Sequence, residues 1–182
     1  MEERMRKITK EVAEKIAELA GRPVLTDDNG DIVLKGHRFV MMGVKYFPYG
    51  LGGANSLRPV LYQLGERIGE EFYKRYADIA GDKSRAIEMV FGMAVYQGFG
   101  TFEIMDEQKD KIVIRFHNSF EVASYKANTD KESDTPVCHL TRGFLGGVYS
   151  TYFGKRISVK ETSCAAMGKQ DFCEFEVEVP KE

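Results

Sequence analysis

The chain has no tryptophan, only five prolines and only three cysteines in its 182 residues. Three cysteines cannot all pair as disulfides within one chain, so disulfides cannot account for all of them. No window approaches the ~18 consecutive apolar residues of a membrane-spanning helix. The opening residues, Met1-Glu-Glu-Arg-Met-Arg-Lys-Ile-Thr-Lys10, carry charge where a signal peptide needs an apolar run. A reducing cytoplasm is the expected location, and there clustered cysteines more often mean metal or reactivity than cross-links. A positive surplus is missing too: 26 Lys and Arg stand against 28 Asp and Glu. That balance argues against nucleic acid as a partner.

What is present is aromatic and apolar material, 12 Phe and 9 Tyr within a 43 % hydrophobic chain, enough for one buried core. There is no internal repeat and no interior linker, so one domain is expected. Residues 3–20 read as an amphipathic helix, with Met5, Ile8, Val12, Ile16 and Leu19 on one face. Val24–Leu34 reads as a hairpin turning at Asn29-Gly30. A strand from Arg38 to Tyr46 runs into the glycine-rich stretch Tyr49–Asn55. That stretch lacks the third glycine of a dinucleotide fingerprint and any Lys-Ser/Thr ending, so a turn or lid is preferred to a phosphate cradle.

A long helix is predicted from Ser56 as N-cap, with Pro59 in its first turn and Leu61, Leu64, Ile68 and Phe72 on its apolar side. A second, apolar nearly all round, covers about Asp82 to Gln97. Thr101–Met105 and Lys111–His117 form a hairpin, and a third helix runs from Asp134-Thr-Pro136 to Gly154, with Cys138 in its first turn. Two strands close the chain, Arg156–Glu161 and Phe172–Val179. Hairpins dominate, so the fold class is α+β with an antiparallel sheet packed by helices. Gly65 with Gly69, and Gly143 with Gly147, are spaced one helical turn apart, a sign of close helix packing and of a candidate dimer contact.

Strand alternation supplies the chemistry. Along Arg156–Glu161, Ile157, Val159 and Glu161 share one face; along the last strand Cys173 lies with Phe175, Val177 and Val179, leaving Glu174, Glu176 and Glu178 outward. A carboxylate on an inward face costs several kcal/mol unless something compensates it. A divalent metal held by Cys138, Glu161, Cys164 and Cys173 satisfies all four, and a thiolate-rich shell favours Zn²⁺. The alternative is three small buried hydrophobes and a solvated strand-end Glu.

The segments His117-Asn-Ser-Phe-Glu121, Pro136-Val-Cys138, Gly143-Phe-Leu-Gly-Gly147, Phe153-Gly-Lys-Arg-Ile157, Glu161-Thr-Ser-Cys164, Gly168 and Phe172-Cys-Glu-Phe175 resemble the V4R (4-vinyl reductase) domain. That family includes sensor domains of aromatic-responsive bacterial activators and is related to the transport-particle (TRAPP) subunits of vesicle tethering. The resemblance is specific over about 117–179 and extends more loosely back to 39. It implies a V4R-like, zinc-containing, ligand-binding domain over 39–182, preceded by a helix-and-hairpin extension over 1–38. It also implies zinc ligation by Cys138, Glu161, Cys164 and Cys173, with the 23-residue step from the first Cys to the Glu reproduced. With four protein ligands and no open position, such a zinc is structural.

The expected function is binding or sensing of a small hydrophobic molecule, aromatic, hydrocarbon or tetrapyrrole. The candidate lining is Phe91, Tyr96, Phe99, Phe102, Phe116, His117, Phe120, Phe144, Tyr149 and Tyr152. His117 stands where the aromatic sensors carry a pocket Trp that contacts the ligand hydroxyl, a departure that puts phenol-type specificity in doubt. The resemblance further implies a homodimer and, at this length, a separate signalling or enzyme partner. Arg142, beside Gly143, is a candidate for an anionic ligand group or a salt bridge. Two other readings stand beside this one. A tetrapyrrole vinyl reductase, or a carrier serving one, needs a hydride or electron source for which no motif is present. A structural assembly subunit is the other.

Overall fold

A computed structural model describes residues 6–8, 32–34, 37–39 and 57–180. Its centre is an antiparallel sheet of five strands. These are β1 (Arg6–Ile8), β4 (Thr101–Glu107), β5 (Lys111–His117), β7 (Phe172–Glu178) and β6 (Ser158–Ser163), in that spatial order. A separate ribbon pairs β2 (Ile32–Leu34) with β3 (His37–Phe39). Four helices are described: α1 (Arg58–Ala80), α2 (Lys83–Tyr96), α3 (Phe120–Asn128) and α4 (His139–Phe153). A 3₁₀ turn covers Ala165–Met167. The α+β antiparallel reading therefore holds.

Residues 6–8 depart from the expected N-terminal helix. They pair antiparallel with β4, Ile8 opposite Phe102, because the open edge of a sheet offers backbone partners that outweigh local helical periodicity. In the ribbon Ile32 stands opposite Phe39 and Leu34 opposite His37. The remainder of the expected 3–20 helix, Asn29-Gly30, the Tyr49–Asn55 stretch and the Ser56 cap lie outside the described residues.

The sheet buries one face by strict alternation. Ile112, Ile114 and Phe116 of β5 face the helices and stand opposite Val177, Phe175 and Cys173 of β7. Val159 and Glu161 of β6 continue the same face. The outward residues pair across strands, Arg115 with Glu174 at 3.0 Å and Lys111 with Glu176 at 3.6 Å. Over the inner face lie α2, against β1 and β4, and α4, against β6 and β7; α1 packs on both helices. Between them Phe91, Phe102, Phe116, Phe144 and Phe175 are all fully buried. Each contributes ~1.5–3 kcal/mol of hydrophobic stabilisation.

The expected apolar side of α1 is inward only in part: Ile68 and Phe72 pack against the core, whereas Leu64 is 45 % exposed, and the fully buried residues are Gly65, Gly69, Tyr73, Tyr76 and Ala80. The glycines let two backbones touch. A methyl on Gly65 or Gly69 would overlap the carbonyl of Leu140 or Phe144, and one on Gly143 or Gly147 would overlap that of Tyr62 or Glu66. The four glycines are thus used within this chain, between α1 and α4, and not across a dimer interface. The left-handed C-caps Gly81 and Gly154 end these two helices.

Candidate metal centre

Three elements converge at one end of the sheet. Cys138 is the N-cap of α4, one residue ahead of the first turn in which it was expected. Glu161 comes from β6, at an irregularity where pairing jumps from Glu161–Phe175 to Ser163–Glu174. The extra residue, Thr162, turns outward and its hydroxyl donates to the Glu174 carbonyl at 3.2 Å, while the chain swings Cys164 inward. Cys173 lies on the inner face of β7.

The donor atoms of Cys138, Glu161, Cys164 and Cys173 all lie within 4.8 Å of one another. The Sγ of Cys173 is 3.5 Å from that of Cys138 and 3.9 Å from that of Cys164. Thiolates ~2.3 Å from a common centre have tetrahedral edges of roughly 3.8 Å, so the spacing fits a single ion. All three cysteines are free, and none is more than 1 % exposed.

The carboxylate supplies the stronger test of fit. Glu161 is 7 % exposed, and its Oε2 accepts the Cys138 backbone N–H at 3.1 Å. Its Oε1 is buried with no hydrogen-bond partner among the described residues. Such an orphaned oxygen is costly, and a cation among the three thiols answers it. In the metal-free site, burial and the neighbouring Cys164 push the Glu161 carboxyl up to about 10. The S–H groups of Cys138 and Cys173 pull the Cys164 thiol well below its ordinary value, whereas burial holds Cys138 well above. A set that concentrates one negative charge and stores protons on the other donors is ready to exchange those protons for a cation.

Two further buried groups escaped the sequence reading. Ser119 caps α3, accepting the Val122 N–H, and its Oγ lies 3.4 Å from the Cys138 Sγ. Glu121 is wholly buried, with its two oxygens on the backbone N–H groups of Leu140 and Thr141 at 2.9 and 2.8 Å. The missed signal was Ser119 three residues ahead of Val122, a helix start that reveals α3. His139 is buried with both ring nitrogens unpaired; burial and then the charges of Arg142 and Arg58 hold it down to about 4, so its imidazole is neutral.

The aromatic candidates divide. Phe91, Phe102 and Phe116 stack at centroid distances of 4.8 and 4.5 Å, and Phe99 bridges Phe120 (5.0 Å) to Phe144 (5.7 Å). Tyr149 meets Phe91 and Tyr152 at the other end, and Tyr96 packs against the same core. His117 is not among them. Strand alternation puts it on the opposite face from Phe116, with its Nε2 3.3 Å from Glu103 and its ring beside Phe172. Arg142 forms no salt bridge among the described residues and lies over the Tyr62 ring at 5.0 Å.

The stretch holding β5, α3, α4, the four donors and β7 is also what comparison with known proteins picks out: residues 112–179 match the V4R domain. The likeness of fold runs well beyond that segment. The phenol-responsive sensory domain of the transcription activator PoxR, solved with phenol, superposes with a TM-score of 0.77 over 93 % of this chain and 89 % of that one, at 16 % identity. A vinyl-4-reductase family protein from Methanocaldococcus jannaschii gives 0.56 over 79 % of this chain and 85 % of its own, at 20 % identity. An uncharacterized protein of the same organism is 20 % identical over 124 residues, 68 % of this chain and 66 % of its own length, just under two thirds. No helix among the described residues is long and apolar enough to cross a membrane.

Proposed function

We propose that this chain binds a small hydrophobic molecule, in the cytoplasm, through a V4R domain whose wall is held by a structural zinc. One relationship carries the reading: Phe116, at the end of the aromatic stack, stands opposite Cys173 on the neighbouring strand. The metal-binding group and the aromatic cluster are therefore direct neighbours on the same inner face of the sheet. Cys138, Glu161, Cys164 and Cys173 would hold the ion, tying the start of α4 to β6 and β7. A closed shell of protein donors supplies cross-linking and no open coordination position.

The ligand would lodge at the half-buried rim of the cluster, where Phe99, Phe120, Tyr96 and Tyr152 are less enclosed than the five buried phenylalanines. The shared fold with a phenol-responsive domain supports an aromatic ligand class. With His117 on the outer face of the sheet, orientation of any ligand hydroxyl would fall to the tyrosines. A homodimer that passes the signal to a separate partner chain completes the proposal.

The test is ligand retention. Native mass spectrometry of freshly purified protein, with melting scans against phenols, other aromatics, fatty acids and tetrapyrroles, should give an adduct or a rise in melting temperature. A ligand at 100 times its Kd adds ~2.7 kcal/mol. No adduct and no shift across the panel would overturn the binding reading.

A further inference from the structure

A helix N-terminus presents backbone N–H groups that need acceptors, and the N-cap side chain ordinarily serves those of the second and third helical residues. In α4 the N-cap is Cys138, and its side chain caps nothing. Its thiol points instead at Cys173. The second and third helical residues are Leu140 and Thr141, whose N–H groups are taken one each by the two oxygens of Glu121, a residue of α3. The N–H of Cys138 itself goes to Glu161. A carboxylate from another helix thus does what the N-cap cannot do while also serving as a thiolate ligand. Ser119, two residues before Glu121, reaches the Cys138 sulfur from the same helix start.

We propose that Glu121 is a positioning residue for the metal-binding group, capping α4 in place of Cys138 so that the Cys138 thiol is free and aimed at the other three donors. The inference rests on the metal reading above. The hydrogen bonds of Glu121 go to backbone N–H groups rather than to the donors of the cluster, so it acts through the backbone of the turn that begins at Cys138. Groups that orient metal ligands in this indirect way change metal affinity by roughly 10- to 100-fold when removed.

Two variants and one measurement on the unaltered protein test it, with Co²⁺ as the probe because its visible spectrum reports ligand geometry. Glu121→Gln keeps one acceptor oxygen but sets an NH₂ group against the second backbone donor; Glu121→Ala removes both acceptors. Below their melting range, both variants should bind one Co²⁺ per chain with affinity lowered ~10-fold or more, the alanine the weaker, and with a shifted ligand-field spectrum. A purely structural role would lower the melting temperature and leave the affinity and spectrum of the folded protein unchanged, which overturns the proposal.

In the unaltered chain, the amide protons of Leu140 and Thr141 should exchange at least ~10-fold more slowly in the loaded than in the metal-free protein, since coupling is reciprocal. This readout decides the matter if the variants do not fold, and equal exchange in the two states overturns the proposal. Absence of any Co²⁺ or Zn²⁺ binding by the unaltered protein would overturn the metal reading and this inference together. Unaltered binding in folded variants overturns this inference alone.

Discussion

Glu161 holds Cys138 with one oxygen and leaves the other buried and unanswered: Oε2 accepts the Cys138 N–H at 3.1 Å, while Oε1 has no partner among the described residues. The first prediction follows from that lopsided contact. Protein purified under reducing conditions should contain about one zinc per chain by elemental analysis. A strong chelator should lower its melting temperature by about 10 °C, the equivalent of a few kcal/mol in a domain of this size. Cys138→Ser, Cys164→Ser and Cys173→Ser should each lose the metal and melt close to the chelated protein. A metal-free preparation that melts unchanged with chelator contradicts the prediction.

Stability should respond to pH with opposite signs in the two states. Without metal, burial pushes Glu121 up to about 7, against the pull of the Thr141 and Leu140 N–H groups, and Glu161 to about 10. The folded chain then keeps protons that the unfolded chain, with ordinary carboxyls near 4.5, gives up. That stability is complete below pH ~4.5 and is lost as pH rises through 7 for Glu121 and towards 10 for Glu161. The lowered Cys164 thiol offsets one of the two protons, leaving a net loss of up to ~1.4 kcal/mol per pH unit between about pH 5 and 7. Binding a cation expels protons from the cluster, so the loaded protein should gain stability over the same rise. Melting curves of both forms between pH 5 and 8 would show the crossing slopes, and parallel slopes would contradict it.

His117→Ala should leave ligand binding unchanged and shift stability by under ~1 kcal/mol. Its pairing with Glu103 joins side chains that are 37 % and 20 % exposed, and such pairs are worth little. A melting shift and a binding titration check both halves.

Gly65→Ala and Gly147→Ala should each destabilise by about 3 kcal/mol or more, because the added methyl meets backbone with no rotamer to escape into. Gly81→Ala is the control. Its φ is +67° with open space around it, so its cost is that of left-handed backbone alone, ~1–2 kcal/mol. Chemical denaturation of the three variants should separate the two classes.

Elements with their own period were legible: α2, the β4–β5 hairpin, and the inward faces of β6 and β7 that bring Glu161 and Cys173 to one side. Their pattern is local, two or nearly four residues long, and carries its burial with it. The inward face of α1 was legible only in part: Ile68 and Phe72 do pack inward and the Gly65–Gly69 spacing signalled close helix packing, but the helix it meets is fixed by a partner 75 residues away. Residues 6–8 were misread for the same reason, their conformation being set by the edge of β4. His117 was misplaced by a correspondence that strand alternation overrode. Glu121 went unassigned because its acceptors' partners belong to the start of a different helix.

Side chains yield under load by changing rotamer, but a seam of backbone on backbone has nothing to yield with. Along Gly65, Gly69, Gly143 and Gly147, α1 and α4 therefore behave mechanically as one rigid beam, which can tilt but cannot slide or open. Any displacement that a bound molecule produces must be taken up where the packing consists of rings and short connections: at α2 with its Gly98 and Gly100 turn, and at α3. The positive φ angles of those two glycines, +83° and +138°, put a turn that favours glycine directly beside Phe99, the ring that links Phe120 to Phe144. On the binding reading proposed above, the rigid seam and the glycine turn beside Phe99 set the direction in which a bound ligand would displace this fold.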